Sequence, residues 1–333
     1  MREFTLHQPS TVDQAIALLS EHGTAARPVA GGTDLVAGVM RDQVVGSGMP
    51  YPSHLVDLET VDSIAGIRVD DGEAVIGAGT KLFEIAESSA LASDWPMLTA
   101  AAAEVASPEI RAIGTLGGNL HQRPRCWFFR SKDFDCVKKG GDICFAVNGD
   151  NRYNAILGGR LCYIVHPSDL ATVLLALDAR AVVASPSGRR MVPFDEYFVG
   201  PEQDLLRETV LGPDELMCGV IIPQPPHRAC QVWHKLNDKG RQTWDFALVS
   251  VAAVVVAPDD VWQTGRIVLG GVAPVPYRAH VIEQALAGRD IREALPDALA
   301  ALRAVARPMR RNGYKLKLAE TLIERALLST LDR

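Results

Sequence analysis

Six cysteines occur in the 333 residues, and four of them, Cys126, Cys136, Cys144 and Cys162, fall within one stretch of 37. Thiolates bind soft and borderline metals, so a cluster of this kind asks first for a metal. The four are separated by nine, seven and seventeen residues. Structural zinc usually takes C-x2-4-C knuckles and thiol redox work takes C-x-x-C, and neither pattern is present in the set. Iron–sulfur clusters accept wider spacing. Four thiolates also need nearby positive charge, which Arg123, Arg125, Arg130, Lys138 and Lys139 offer. Spacing alone favours a metal and leaves open an iron–sulfur cluster, a zinc ion or inert loop cysteines. Cys218 lies in an alternating stretch and Cys230 beside a proline pair, so neither is assigned a role.

Two glycine pairs form a second kind of signal. In Val29-Ala30-Gly31-Gly32-Thr33-Asp34-Leu35, two residues without Cβ let successive backbone N–H groups converge on an anion. In Gly114-Thr115-Leu116-Gly117-Gly118-Asn119-Leu120, the pair is flanked by Thr and Asn side chains able to donate to phosphate oxygens. Either loop alone reads as a tight turn. Together they suit the two phosphates of a dinucleotide, although neither is the GxGxxG fingerprint. The eight histidines contain no H-x-x-x-H or H-E-x-x-H pair, so His121, His166 and His234 read as loop or hydrogen-bonding residues. Neither a Ser-His-Asp grouping nor a G-x-S-x-G elbow supports hydrolysis.

These residues need a scaffold of ordinary globular composition, and they have one. Apolar residues make up 47% and charged residues 22% of the chain, and the length suits about two domains of roughly 100–200 residues. Thirty-four basic against 40 acidic residues leave a net charge of −6, which gives no general grip on nucleic acid or on an anionic membrane. The longest apolar run, 246–257, is far short of the roughly 20 residues of a membrane helix. No secretory or twin-arginine signal is visible at Met1-Arg2-Glu3, so a cytoplasmic location is expected, or a periplasmic one only if a partner carries the signal.

Along the chain, Thr11 is placed to cap a helix over 12–20, a strand follows at 27–30, and the first glycine loop leads into a helix over 35–40. Strands are expected at 54–58, 64–69 and 73–76, the last two joined as a hairpin through Asp70-Asp71-Gly72. Thr80 is expected to cap a helix over 81–88, and 97–105 reads as a small-residue helix. Residues 121–162 show no sustained period and read as a long irregular excursion, its cysteines at entrance, middle and exit. A helix over 170–177 and strands at 181–185 and 216–222 follow. A boundary falls near Pro225-Pro226, and the alternating stretches at 231–236, 247–256 and 265–271, followed by helices from 281, predict an α+β domain with an antiparallel sheet.

Ala30-Gly31-Gly32-Thr33-Asp34, Ile110-Arg111 with Gly114-Thr115-Leu116-Gly117-Gly118-Asn119, His166-Pro167-Ser168-Asp169-Leu170, and Lys235 with Asp245-Phe246-Ala247 occur in the order and spacing of one family. Across essentially its whole length the chain resembles the FAD-binding medium subunit of the molybdenum hydroxylases, the xanthine dehydrogenase, aldehyde oxidoreductase and carbon monoxide dehydrogenase family. The resemblance implies an α+β architecture: a two-part FAD-binding region of the vanillyl-alcohol-oxidase (PCMH) type at 1–225, in subdomains 1–55 and 56–225, and a C-terminal α+β domain of the CO dehydrogenase flavoprotein type at 226–333. It places the pyrophosphate on Arg27, Pro28, Val29, Ala30, Gly31, Gly32, Thr33, Asp34 and Leu35 with Thr115, Gly118 and Asn119. Asp169 would bind the ribose or adenine side and Lys235 would lie near the flavin ring. Ala112 stands where many members carry Asn, which removes one hydrogen bond from that pattern.

Most members lack the excursion. A branch resembling 4-hydroxybenzoyl-CoA reductase and the periplasmic aldehyde oxidoreductase carries one there with four cysteines and a [4Fe–4S] cluster, and Cys126, Cys136, Cys144 and Cys162 match that pattern. The function implied is an oxidoreductase subunit that takes electrons from a molybdopterin-containing large subunit and a small [2Fe–2S] subunit, in a heterotrimer or a dimer of heterotrimers. FAD, held without a covalent bond, would pass them to an external acceptor, which in the family is NAD, oxygen, ferredoxin or a quinone. Substrate chemistry would sit on a partner, and this chain would contribute no catalytic residue of its own. Part of the excursion is expected in the partner interface, since a cluster there would otherwise be exposed. The rival reading is a zinc-stapled or metal-free scaffold module without redox activity.

Overall fold

A computed structural model describes residues 1–238 and 245–331. Thr11, in extended backbone, accepts a hydrogen bond from Gln14 N (3.2 Å) and starts the helix Val12–His22. Val12, Ala15, Ile16 and Leu19 fall on one face of that helix and are buried against a small parallel sheet. Its strands are β1 (Thr5–His7), β2 (Ala26–Val29) and β3 (His54–Asp57), in the order β1-β3-β2.

The second sheet is antiparallel and contains β4 (Ile67–Asp70), β5 (Glu73–Gly77), β6 (Arg180–Ser185), β7 (Gly188–Pro193) and β8 (Leu216–Ile222) in the order β4-β5-β8-β6-β7. The hairpin between β4 and β5 turns through Asp71 and Gly72, both at positive φ (49° and 80°), the geometry that matches the twist of the two strands. The third sheet, also antiparallel, is β9 (Cys230–Leu236), β10 (Val249–Val256), β11 (Thr264–Gly270) and β12 (Tyr277–Arg278) in the order β12-β11-β10-β9.

All eight residues of β10 are buried, and its alternation explains why. Ala252 and Val254 face the core shared with the second sheet and the helices Pro96–Ala103 and Asp169–Ala176. Val249, Val251, Ala253 and Val255 face a separate core closed by the helices Ile291–Val305 and Tyr314–Leu328. A strand covered on both faces has no polar side to show, so it reads as one apolar run. The helix Asp169–Ala176 is buried at every position for the same reason, lying against helix Pro96–Ala103 and strands β10 and β11.

Three local expectations need correction. Residues 35–40 are helical, but Leu35–Met40 is a π-turn in which Val39 N donates to Asp34 O and Arg41 N to Val36 O, because the tight turn ahead of it widens the first coil. Thr80 caps nothing: it is fully buried, its hydroxyl accepts from Gly66 N (2.9 Å) and donates to Gly66 O (3.0 Å), and the short helix Leu82–Ala86 starts beyond it. Strand β7 was not expected, since its outward residues Gly188 to Met191 are exposed and carry no apolar alternation.

The excursion holds only the single turn Trp127–Arg130 and the 3-10 turn Val137–Lys139, and tertiary hydrogen bonds fix the rest. Its return leg is stitched to the C-terminal region. Ile156 N donates to Val272 O, Asn312 Nδ2 donates to Asn154 O and Ala155 O, and the buried Lys315 Nζ donates to Tyr153 O (2.8 Å) and Gly271 O (2.7 Å). Burial pushes the Lys315 ammonium down to about 7. The unfolded chain therefore binds the extra proton more tightly than the folded one between pH 7 and the ordinary lysine range, so this group's contribution to stability rises with pH across that window. Thermal unfolding of wild type and Lys315→Met at pH 7 and pH 9 should show the gap between them widening at pH 9. A gap that stays constant would mean that Lys315 keeps its charge in the fold.

Candidate cofactor site

The first glycine loop leaves β2 and passes beneath the short helix Pro108–Ile113 at very close range. A Cβ on Gly31 would stand 2.3 Å from Ile113 O, and Gly32 has φ +64°, so both positions require glycine. The amides of Gly31, Gly32, Thr33 and Asp34 donate to no group among the described residues. Four successive donors without partners line a cavity of about 570 Å³. Buried or half-buried donors of this kind are normally satisfied, so their arrangement calls for a multiply charged acceptor.

The second loop behaves differently from its expectation. Four successive backbone donors are engaged within the chain: Leu116 N with Thr80 O, Gly117 N with Ala78 O, Gly118 N with the Thr115 hydroxyl and Asn119 N with Thr115 O. It offers the cavity a surface without Cβ at Gly118, the donor capacity of the Thr115 hydroxyl, and the Asn119 amide. The carbonyl side of that amide is fixed by Ser168 Oγ, which donates to Asn119 Oδ1 (2.5 Å) and leaves Nδ2 for the cavity. Backbone capture belongs to the first loop and side-chain capture to the second.

The structure brings Arg27, Pro28, Val29, Ala30, Gly31, Gly32, Thr33, Asp34, Leu35, Thr115, Gly118, Asn119, Asp169 and Lys235 to the wall of this one cavity. Asp169 and Lys235, expected at different parts of the cofactor, are in contact with one another. Lys235 Nζ donates to Asp169 Oδ2 (2.7 Å) and to Glu104 O (3.0 Å), with both side chains almost wholly buried. Burial pushes the Asp169 carboxyl up, against the pull of Lys235. The two therefore serve one region of the cavity as a unit. Arg27 folds its guanidinium back onto Thr24 O and Ala26 O, and burial with the nearby Arg123 lowers its basicity.

Sequence reasoning missed several parts of the wall. His121 Nδ1 lies 2.7 Å from Gly117 O, which makes that nitrogen the donor, and Nε2 then accepts from Tyr197 OH (2.6 Å). Arg125 lies over the Phe246 ring (4.7 Å), and its buried Nε has no partner among the described residues. The segment Leu206 to Pro213 closes one side. Only tertiary contact places these groups here, and no motif marks them.

Asp34 joins the cavity to the cysteine-bearing excursion. Its carboxylate accepts from Arg123 N (2.7 Å) and pairs with Arg130 Nη2 (2.8 Å) and Arg125 Nη2 (2.9 Å). Arg123 and the buried Lys138 pair with Glu208. The three arginines pair with carboxylates, while the charges of Lys138 and Lys139 oppose the upward push that Cys144 and burial give Cys162 and burial gives Cys136.

The four cysteines form one group. Cys126 acts electrostatically on Cys136, Cys144 acts on Cys126, and Cys144 and Cys162 interact with one another. Nearby backbone N–H groups favour the thiolate at each sulfur, those of Phe128 and Phe129 at Cys126, Lys138 and Lys139 at Cys136, Ala146, Val147 and Tyr163 at Cys144, and Ile164 at Cys162. The bond from Cys162 pushes the Cys144 thiol down to about 6, whereas burial pushes Cys126 and Cys136 up. No three of the sulfurs lie within 4.8 Å of one another. A single zinc, with Zn–S of about 2.3 Å, would hold four sulfurs at about 3.8 Å, so the setting fits a larger cluster better than a lone ion. Cys136 and Cys162 are only 5% and 4% exposed within this chain, whereas Cys126 and Cys144 are half-buried.

Residues 2–225 match the family of FAD binding domains in molybdopterin dehydrogenases, and residues 236–330 match the CO dehydrogenase flavoprotein C-terminal domain. The chain belongs to the FAD-binding medium subunits of the molybdenum hydroxylases, which are oxidoreductase subunits. It is 33% identical over 331 residues to the aldehyde oxidoreductase FAD-binding subunit PaoB of Escherichia coli (strain K12), covering 98% of each chain. It is 27% identical over 329 residues to the carbon monoxide dehydrogenase medium chain of Afipia carboxidovorans, covering 97% of this chain and 95% of that one. A solved structure of carbon monoxide dehydrogenase from Hydrogenophaga pseudoflava superposes with a TM-score of 0.77 at 27% identity, over 99% of this chain and 98% of that chain. The scaffold alternative is not favoured. No helix among the described residues is long and apolar enough to cross a membrane.

Two substitutions separate the roles of the loops. A Cβ on Gly118 would meet only Thr115 Oγ1, at 3.2 Å, so Gly118→Val should fold normally yet lose at least about tenfold in FAD affinity, the effect of ~1.4 kcal/mol. Full flavin content in the purified variant would remove Gly118 from the cofactor contact. Asp34→Asn leaves Arg125 and Arg130 half-buried without their anion and should cost about 3 kcal/mol of stability by denaturant unfolding. A loss below 0.5 kcal/mol would show the ion cluster to be dispensable.

Proposed function

We propose that this chain is the FAD- and [4Fe–4S]-bearing relay of a molybdenum hydroxylase complex, in the branch that carries an extra four-cysteine cluster. Electrons originate on a molybdopterin-containing large subunit, reach this chain through a small [2Fe–2S] subunit, and leave from FAD to an external acceptor. The observation that carries the reading is the ion cluster around Asp34, which joins the unengaged amides of the first glycine loop to the segment bearing Cys126, Cys136, Cys144 and Cys162. FAD, when bound, supplies the carrier chemistry, and the chain's own residues bind, orient and electrostatically tune.

In this reading the amides of Gly31, Gly32, Thr33 and Asp34 hold the pyrophosphate, with the Thr115 hydroxyl and the Asn119 amide opposite them. Asp169 and Lys235 act as one pair beside the cofactor. Backbone N–H groups around the four sulfurs favour their thiolate forms and so favour cluster binding. The FAD-binding region is residues 1–225 and the C-terminal domain 226–333, with the excursion at 121–162 bridging the two.

Iron, flavin and activity test the proposal together. Anaerobically purified protein should hold about four irons per chain, and each of Cys126→Ser, Cys136→Ser, Cys144→Ser and Cys162→Ser should lose them, whereas Cys218→Ser and Cys230→Ser should not. Acid should release the flavin, since neither glycine loop contains a His or Cys for attachment. Substrate-dependent dye reduction should require the partner subunits. Stoichiometric zinc in place of iron, yellow colour retained in the acid pellet, or full turnover by the chain alone would each overturn its part of the proposal.

A further inference from the structure

His7, His22 and His54 are far apart in sequence and fall together in the fold. His7 on β1 pairs with Val56 of β3, so His54, two residues earlier, is its diagonal neighbour on the same face of the sheet. The helix Val12–His22 packs on that sheet and ends with His22 above the same spot. His7 Nε2 lies 3.0 Å from His54 Nδ1, the rings of His22 and His54 are 3.8 Å apart, and one nitrogen from each of the three lies within 4.8 Å of the others.

A shared proton joins His7 and His54, and His22 stacks flat on His54 at an interplanar angle of 5°, so ring rotation is what would bring three lone pairs onto one ion. Three imidazoles in one place cannot all be protonated without mutual repulsion. Neutral imidazoles held close are metal ligands. Tetrahedral zinc with Zn–N of about 2.0–2.1 Å sets its nitrogens about 3.3 Å apart. The 3.0 Å pair is close to that figure, and side-chain rotation of the third ring supplies the remainder. A cation here would also sit at the C-terminal end of the helix Val12–His22, where the macrodipole favours positive charge.

We infer that His7, His22 and His54 form a binding site for one borderline divalent cation of the Zn2+ class, distinct from the cofactor cavity and from the cysteine set. Three imidazoles leave a fourth position for water or another ligand, and the metal would clasp β1, β3 and the first helix. His54 is also paired with Ala26, at the start of the strand β2 that leads into the first glycine loop.

Co2+ is the probe of choice, because its spectrum separates nitrogen from thiolate ligation. The flavin-loaded full chain, stripped of adventitious metal by chelator, should bind one Co2+ without a sulfur-to-metal charge-transfer band, and Zn2+ should displace it. His54→Ala and His22→Asn should each weaken that binding by more than the 10–100-fold typical of losing an outer-shell partner. His280→Ala, an exposed histidine elsewhere, should leave it unchanged, and the flavin content of all three should match wild type. Zn2+ should raise the unfolding temperature of wild type and not of His54→Ala. Absence of Co2+ binding at micromolar concentration, a charge-transfer band marking thiolate ligation, or wild-type affinity in both site variants would overturn the assignment.

Discussion

The carboxylate of Asp34 is the interaction on which the arrangement of this molecule turns. It sits at the end of the first glycine loop and at the start of the π-turn Leu35–Met40, and it collects one backbone amide and two guanidinium groups from 123–130. An anion surrounded by two arginines at low exposure is strongly held only when its hydrogen bonds are complete, and here they are. Because the same residue shapes the loop and anchors the excursion, the flavin cavity and the cysteine group are not independent modules. A disturbance at one is transmitted to the other through a few short, charged contacts.

A division of labour between the two loops follows from what each does with its own backbone. The second loop is tied into Thr80, Ala78 and Thr115, so it is rigid and presents side chains. The first keeps its amides for a ligand and gains its rigidity from the close passage of Ile113 over Gly31 and from Asp34. The neighbouring pairs Asp169–Lys235 and Glu208–Lys138 show the same economy. Buried charges are matched inside the chain, so the cavity presents oriented polar groups without a large surplus of either sign.

Much of this was legible in the sequence because it rests on local chemistry. The Asp71-Gly72 turn, the Thr11 cap, the strands β8 to β11 and the closing helices all follow from spacing or turn residues. Glycine at positions 31 and 32 carried its own reason. What was not legible depends on distant partners. Six helical residues cannot tell a π-turn from an α-turn by period, Thr80 looks like any cap until Gly66 is seen beside it, and an exposed edge such as β7 carries arginines where a pattern would want alternation. The commitments of Arg123, Arg125 and Arg130 to carboxylates, and the meeting of three histidines spread over 48 residues, have no short-range signature at all.

The stitching of residues 151–157 to Val272, Asn312 and Lys315 bears on how such an insertion is inherited. A loop held only by its own stem could be gained or lost by a relative in a single event. This one has partners on two distant segments, an acceptor at Val272 O and donors at the Asn312 amide and the buried Lys315 amine. Its transplantation into a medium subunit that lacks it would carry over the cysteines and leave three backbone carbonyls facing apolar surface. A working graft would have to bring Asn312 and Lys315, at the start of the helix Tyr314–Leu328, with it, so the insertion and its remote hosts are one heritable unit.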